Sequence, residues 1–285
     1  FEGGLTNACF NEVDRHVLMG YGDEVAYYFE GDRWDSTLND GRGGPVVSYP
    51  VTRKKLLLEV VKAAQVLRDL GLQRGDRLAL NMPNIMEQIY YTEAAKRLGI
   101  IYTPVFGGFS DKTLSDRIHN AGARIVITSD GGYRNAQVVP YKETYTDQAL
   151  DKFIPVEVAL EIVQTTLDSF REQVQAHHLE TIFEEAAAAV DHLADVDTLI
   201  QSRIRTAIAQ ALVESPPRVD AVVVVRHTGQ DIVWRTERDR WSHSLMTDAL
   251  LKILEHARNA GINVQSEQEL LALPIEQFIR ALYAT

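Results

Sequence analysis

The chain has 285 residues, 45% hydrophobic and 24% charged, a balance typical of a soluble globular protein with room for one large domain or two small ones. A formal charge of −11 excludes a generally cationic surface and so disfavours nucleic-acid binding, although one locally positive pocket can still hold an anionic cofactor. A single cysteine, Cys9, excludes an internal disulfide, and no apolar run approaches the roughly 20 residues that cross a bilayer.

These properties predict a cytoplasmic protein with neither nucleic acid nor membrane as a partner. The chain opens on Phe1 without a signal-peptide pattern, which reads as a start that has been lost or removed. Residues 1–50 read as irregular, and Thr37 to Pro45, rich in Gly, Asn and Asp, as an exposed loop. Leu57, Val60, Ala64 and Leu67 then recur at helical spacing, with Gly71 following as the residue past the helix end. A strand is predicted at Leu78 to Met82, broken by Pro83. Asn84, with Glu87 three residues later, reads as the start of a helix that ends at Gly99. Ile100 to Phe106 is the next strand, Ser110 caps a helix to about Asn120, and Arg124 to Ser129 is a third strand. This alternation predicts an α/β fold built on a mostly parallel sheet flanked by helices.

Residues 152–217 interrupt the rhythm. Leu160, Val163, Leu167, Phe170 and Val174 are spaced by three and four, and the pattern continues through Ile200, Ile204, Ile208 and Leu212 until Pro216 and Pro217. The block reads as a helical insertion between two parts, 51–151 and 218–285, of one α/β unit. Strand character returns at Val222 to Val225, and a helix from Leu245 to Ala260 ends at Gly261.

Two glycine loops follow predicted strands. Phe106-Gly107-Gly108-Phe109-Ser110 offers close backbone approach, an aromatic face and a helix N-terminus that favours an anion; the plain alternative is a packing turn. Ser129-Asp130-Gly131-Gly132-Tyr133-Arg134 adds a guanidinium suited to phosphate, or a solvated surface arginine. Both loops should emerge at the carboxyl edge of the sheet, where ligands gather in open parallel sheets. Their strands are consecutive across one helix and are expected to be neighbours, about 5 Å apart. His227 lacks a nucleophile partner and reads as structural, and His177 and His178 are adjacent and do not make a metal pair. Phosphate-loop, dinucleotide, nucleophile-elbow and zinc spacings are absent, so no catalytic residue and no metal ligand is assigned.

The ordered set of motifs resembles acetyl-CoA-synthetase-type acyl-CoA ligases, which are adenylate-forming enzymes. It comprises Glu2-Gly3-Gly4, Asn11-Glu12-Val13-Asp14-Arg15-His16, Arg74-Gly75-Asp76-Arg77, Met82-Pro83-Asn84, the two glycine loops, Val222 to Gly229, and Arg238-Asp239-Arg240-Trp241. The resemblance covers nearly all of the chain outside 152–217. It implies part of the N-terminal domain of such an enzyme, which activates a short-chain carboxylate (acetate, propionate or 3-hydroxypropionate) with ATP as an acyl-adenylate and passes the acyl group to coenzyme A. Phe106, Gly108 and Arg134 match family positions that contact the nucleotide of CoA, and Gln137 stands where the family usually has a second arginine.

The resemblance also places the ATP-handling loop, with Mg, beyond residue 285. The chain alone is therefore expected to be an inactive fragment whose partner is the remainder of the ligase. The insertion is similar to that of the ligase part of propionyl-CoA synthases, which would add fused hydratase and NADPH-dependent reductase domains. A different reading keeps the α/β part as a scaffold and the 152–217 helices as an interaction module.

Overall fold

A computed structural model describes residues 6–107, 109–152, 219–232, 234 and 237–283. The chain divides into two compact units, Phe1–Ala149 with Arg218–Thr285, and Leu150–Pro217. The helices expected over 152–217 lie outside the described residues but for Lys152, as does Gly108.

The first unit is organised by strands too apolar to face water. Strand β1 (Val25–Glu30) pairs antiparallel with β2 (Ser48–Thr52). Thr52 then extends, and its hydroxyl accepts from the Lys55 amide at 3.2 Å to start α1 (Arg53–Asp69). The buried face of α1 includes the Leu57, Val60, Ala64 and Leu67 stripe, and Gly71 follows at φ +81°. Next come β3 (Arg77–Met82), α2 (Met86–Leu98), β4 (Ile101–Phe106), α3 (Asp111–Ala121) and β5 (Ile125–Ser129). A short hairpin, β6 (Gly132–Arg134) and β7 (Gln137–Val139), follows. After the second unit come β8 (Ala221–Val225), β9 (Asp239–Trp241) and the helices α4 (Ser242–Asn259), α5 (Glu267–Ala272) and α6 (Ile275–Leu282).

Five strands form one parallel sheet in the order β9-β8-β5-β3-β4. Every residue of β5 and β8 is buried, as a strand covered on both faces requires. The strands carrying the two glycine loops are not neighbours. β4 and β5 lie on opposite sides of β3, two strand spacings or roughly 10 Å apart. The reason is written in β4 itself. Pro104 cannot donate to a ladder, which suits an edge strand, and Ile101 and Phe106 are exposed there. With β4 closing the edge, β5 pairs on the free side of β3.

Three further expectations change. Residues 1–50 are not irregular throughout, because they carry helical turns at Phe10–Asp14 and Val17–Tyr21 and strand β1. The N-terminal turns dock on the end of α2, where the Asn7 side-chain amide donates to the Arg97 carbonyl at 2.9 Å and the Arg97 guanidinium meets the buried Asp14 carboxylate at 2.6 Å. Asn84 does not cap α2; Ile85 holds the N-cap position in extended conformation without a side-chain cap. Helix α4 begins at Ser242, three residues before its apolar pattern, and the Ser242 hydroxyl is buried against the Tyr91 hydroxyl at 2.8 Å.

Candidate functional site

The chain leaves β3 toward β4 on one side, and leaves β5 toward β8 on the other. The carboxyl ends of β3 and β5 therefore flank the point where the winding reverses, the customary ligand crevice of an open parallel sheet. A cavity of about 300 Å³ opens there, lined among others by Pro83, Phe106, Tyr133, Arg134, Tyr141 and His227. A smaller chamber of about 160 Å³ shares Phe29, Gly31, Asp32, Tyr133 and His227 with it and adds Arg33, Tyr49 and Glu87.

Tyr141 holds the two glycine loops together. Its hydroxyl donates to the Gly107 carbonyl oxygen at 2.9 Å. A Cβ on Gly107 would overlap that hydroxyl, and a Cβ on Gly132 would sit 2.7 Å from the ring and 3.0 Å from Pro83. The glycines are needed for this aromatic wedge. Burial pushes the Tyr141 phenol above its usual range, with Tyr145 adding to the shift and Arg134 opposing it.

The wedge is itself anchored by buried polar groups. Asn81 on β3 and Thr128 on β5 are paired in register, and the Thr146 hydroxyl joins them, donating to Thr128 at 2.9 Å and accepting from Asn81 at 3.2 Å. Lys142, completely buried, donates to both Asp147 carboxylate oxygens at 3.0 and 3.1 Å and lies 3.2 Å from Asp239 on β9. A buried cation needs such matched partners, and the pair fixes the Lys142–Asp147 turn on the sheet directly after Tyr141.

Asp130 latches the third motif. Only 1% exposed, its carboxylate accepts from the backbone amides of Gly131, His227, Thr228, Gly229 and Gln230 at 2.7–3.2 Å. The loop after β8 is thereby wrapped around the end of β5. His227 is turned into the cavity, its ring edge-on to Tyr133 at 5.7 Å. Burial and the Arg33 charge hold the imidazole below its usual pKa, against the pull of Asp130.

Among the residues expected from sequence, Phe106 and Arg134 line one cavity even though their strands are not adjacent. Phe106 is 66% exposed, steadied by an edge contact with Phe109 at 6.1 Å. Arg134 pairs with no carboxylate among the described residues, so its guanidinium is available to a ligand. Gln137 faces Arg134 across the β6–β7 hairpin and is exposed, but it is not among the cavity-lining residues. Gly108 lies outside the described residues. The two turn residues between Arg134 and Gln137, Asn135 and Ala136, both have positive φ, at 51° and 59°, as a two-residue hairpin turn demands. The sequence reading missed Tyr141 and the latching role of Asp130. The only local signal for the first was two adjacent glycines in each loop, which announced a close approach without naming what approaches.

The cavity offers a guanidinium suited to an anion and an exposed aromatic face suited to a flat ring. Among the described residues no group of three His, Cys, Asp or Glu side chains is placed to hold a metal ion, and no helix is long and apolar enough to cross a membrane.

The profile of the AMP-binding enzyme family matches residues 39–229. Among curated proteins, an acetyl-coenzyme A synthetase of Streptomyces coelicolor is 33% identical over 243 residues, covering 85% of this chain and 26% of that protein. Acetyl-coenzyme A synthetases of Mycolicibacterium smegmatis and Drosophila melanogaster are 43% and 38% identical over 152 and 151 residues, each covering 53% of this chain and 15% and 21% of the relative. The chain thus spans about a quarter or less of these relatives.

Proposed function

Because this chain belongs to the AMP-binding enzyme family, we propose that it is part of an ATP-dependent, AMP-forming acyl-CoA synthetase, and that its switch-point cavity takes the nucleotide end of coenzyme A. The observation carrying this reading is the meeting of Phe106 and Arg134 in one cavity at the carboxyl edge, with the guanidinium unpaired. Phe106 offers a stacking face, Arg134 a bidentate phosphate contact, and Tyr141 holds the two loops in register. The resemblance also assigns Gly108 and Gln137 to this site, Gln137 being an exposed neutral residue opposite Arg134 on the hairpin. ATP and Mg act elsewhere in the complete enzyme, and the remainder of the ligase is the first partner. The acid activated is a short-chain carboxylate. The resemblance of the insertion to that of propionyl-CoA synthases favours 3-hydroxypropionate, with hydratase and reductase activities fused to the ligase and cytoplasmic residence.

Calorimetric titration of CoA into the chain tests the site. Arg134→Ala should weaken binding by about ten- to a hundredfold, corresponding to loss of one charged hydrogen bond of roughly 1.5–3 kcal/mol. Equal affinity in the folded variant would remove Arg134 from the site.

A further inference from the structure

The smaller chamber carries a second available cation. Arg33 lines it, with the guanidinium carbon 4.7 Å from the centre of the Tyr133 ring. Tyr133 belongs to both chambers and directly precedes Arg134. The Arg33 backbone is fixed on both sides. Its carbonyl accepts from the Val46 amide at 2.8 Å, and the neighbouring Asp32 carboxylate accepts from the Ala136 amide at 3.1 Å, tying the segment to the hairpin that bears Arg134. No carboxylate among the described residues pairs with Arg33, although the chain carries 40 acidic residues against 29 basic ones.

Arginine stacked on an aromatic ring keeps its planar fork of donors free for an anion, and a fixed backbone lowers the entropic cost of using it. None of the carboxylates lining the two chambers forms an ion pair with it: Asp32 accepts from the hairpin amide, Glu30 is exposed and lines only the larger cavity, and Glu87 lines the smaller one.

We infer that Arg33, stacked on the Tyr133 ring that lines both chambers, is a further specificity-determining contact of this site and addresses an anionic group of the nucleotide other than the one Arg134 takes. This rests on the reading of the cavity as a CoA-nucleotide site and adds a contact from the N-terminal segment. A ligand with a single phosphate satisfies one guanidinium and leaves the other idle. Adenosine 3′,5′-bisphosphate and CoA itself satisfy both.

Calorimetric titration of CoA, dephospho-CoA (which lacks the 3′-phosphate) and adenosine 3′,5′-bisphosphate into the full chain, its Arg33→Gln and Arg33→Lys variants and Arg134→Ala tests this. Arg33→Gln should weaken CoA and the bisphosphate about tenfold, with the melting temperature held, and Arg33→Lys should recover part of the loss. One of the two arginine variants, and only one, should erase the preference for CoA over dephospho-CoA. If wild type and Arg33→Gln bind every ligand alike while Arg134→Ala is weakened, Arg33 has no part and the CoA reading stands. If the folded wild-type chain binds none of the three, the CoA reading itself fails. Should Arg33→Gln fail to fold, Arg33→Met, which keeps an apolar stem against Tyr133 without the charge, carries the test: a CoA affinity identical to wild type at low and high salt would overturn the inference.

Discussion

The hydroxyl of Tyr141 donates to the carbonyl oxygen of Gly107 at 2.9 Å, and the same ring closes against Gly132. A residue between the hairpin and the turn that leads into the second unit therefore sets the relative position of two loops that rise from non-adjacent strands. Removing only the hydroxyl isolates this bond. Tyr141→Phe should weaken CoA binding several-fold, matching roughly 0.5–1.5 kcal/mol for one hydrogen bond, while the ring keeps its packing and the melting temperature changes little. A calorimetric titration beside a thermal melt separates the two effects. An unchanged affinity would show that the Phe106–Ser110 loop needs no such tether.

The close approach of Tyr141 to Gly132 predicts a clash with a specific remedy. Gly132→Ala should destabilise the chain by about 1–3 kcal/mol, the usual cost of overpacking a tight site. Adding Tyr141→Ala opens the space, so the double variant should be more stable than the sum of the single losses implies. Denaturant melts of the four proteins close the cycle. Simple additivity would mean that Pro83, the other neighbour, carries the clash.

Asp130 gives the largest predicted stability effect. Asp130→Ala leaves the amides of residues 227–230 without their acceptor, and those groups are partly buried. Stability should fall by roughly 2–4 kcal/mol. Amide hydrogen exchange should accelerate first at His227 to Gln230, before global unfolding, because the latch is local. Uniform acceleration across the sheet would contradict a loop-specific role.

Four strands of the parallel sheet and the helices beside them were legible because hydrophobic periodicity and glycine stops act locally, whereas β1, β2, the β6–β7 hairpin, β9, α5 and α6 were not read. Leu57, Val60, Ala64 and Leu67 are all buried, and the four predicted strands all lie in the parallel sheet. Strand order was not legible from adjacency in sequence, since crossover connections permit either side of β3, but Pro104 carried the information as a mark of an edge strand. Phe106 and Arg134 were readable as candidates because their residue types suit a nucleotide. Tyr141, Asp130 and Arg33 were not, because each acts through a partner distant in sequence: Asp130 reaches across 97 to 100 residues, and Arg33 rests on Tyr133. A carboxylate that binds backbone amides and one that binds a ligand look the same in a sequence.

His227 and Glu87, which both line the smaller chamber, also predict a pH dependence with two opposed contributions. His227 has its pKa held below 6.5 by burial and by Arg33, so near neutrality and below the unfolded chain binds more protons than the folded one. Its contribution is fully favourable above 6.5 and is lost as pH falls from 6.5 through the lower folded value. Glu87 behaves oppositely. Burial and Glu59 raise its carboxyl above 4.5, so the folded chain holds that proton longer, and its contribution is lost as pH rises from 4.5 through the higher folded value. The two contributions therefore have opposite signs of slope in the native chain. Glu87→Gln removes the second contribution, so that variant should lose stability on acidification more steeply than wild type, and His227→Gln should lose it less steeply. Denaturant midpoints at half-unit steps between pH 7.5 and 5 measure both slopes. If Glu87→Gln and His227→Gln shift the slope in the same direction, the two groups do not oppose each other as their surroundings require.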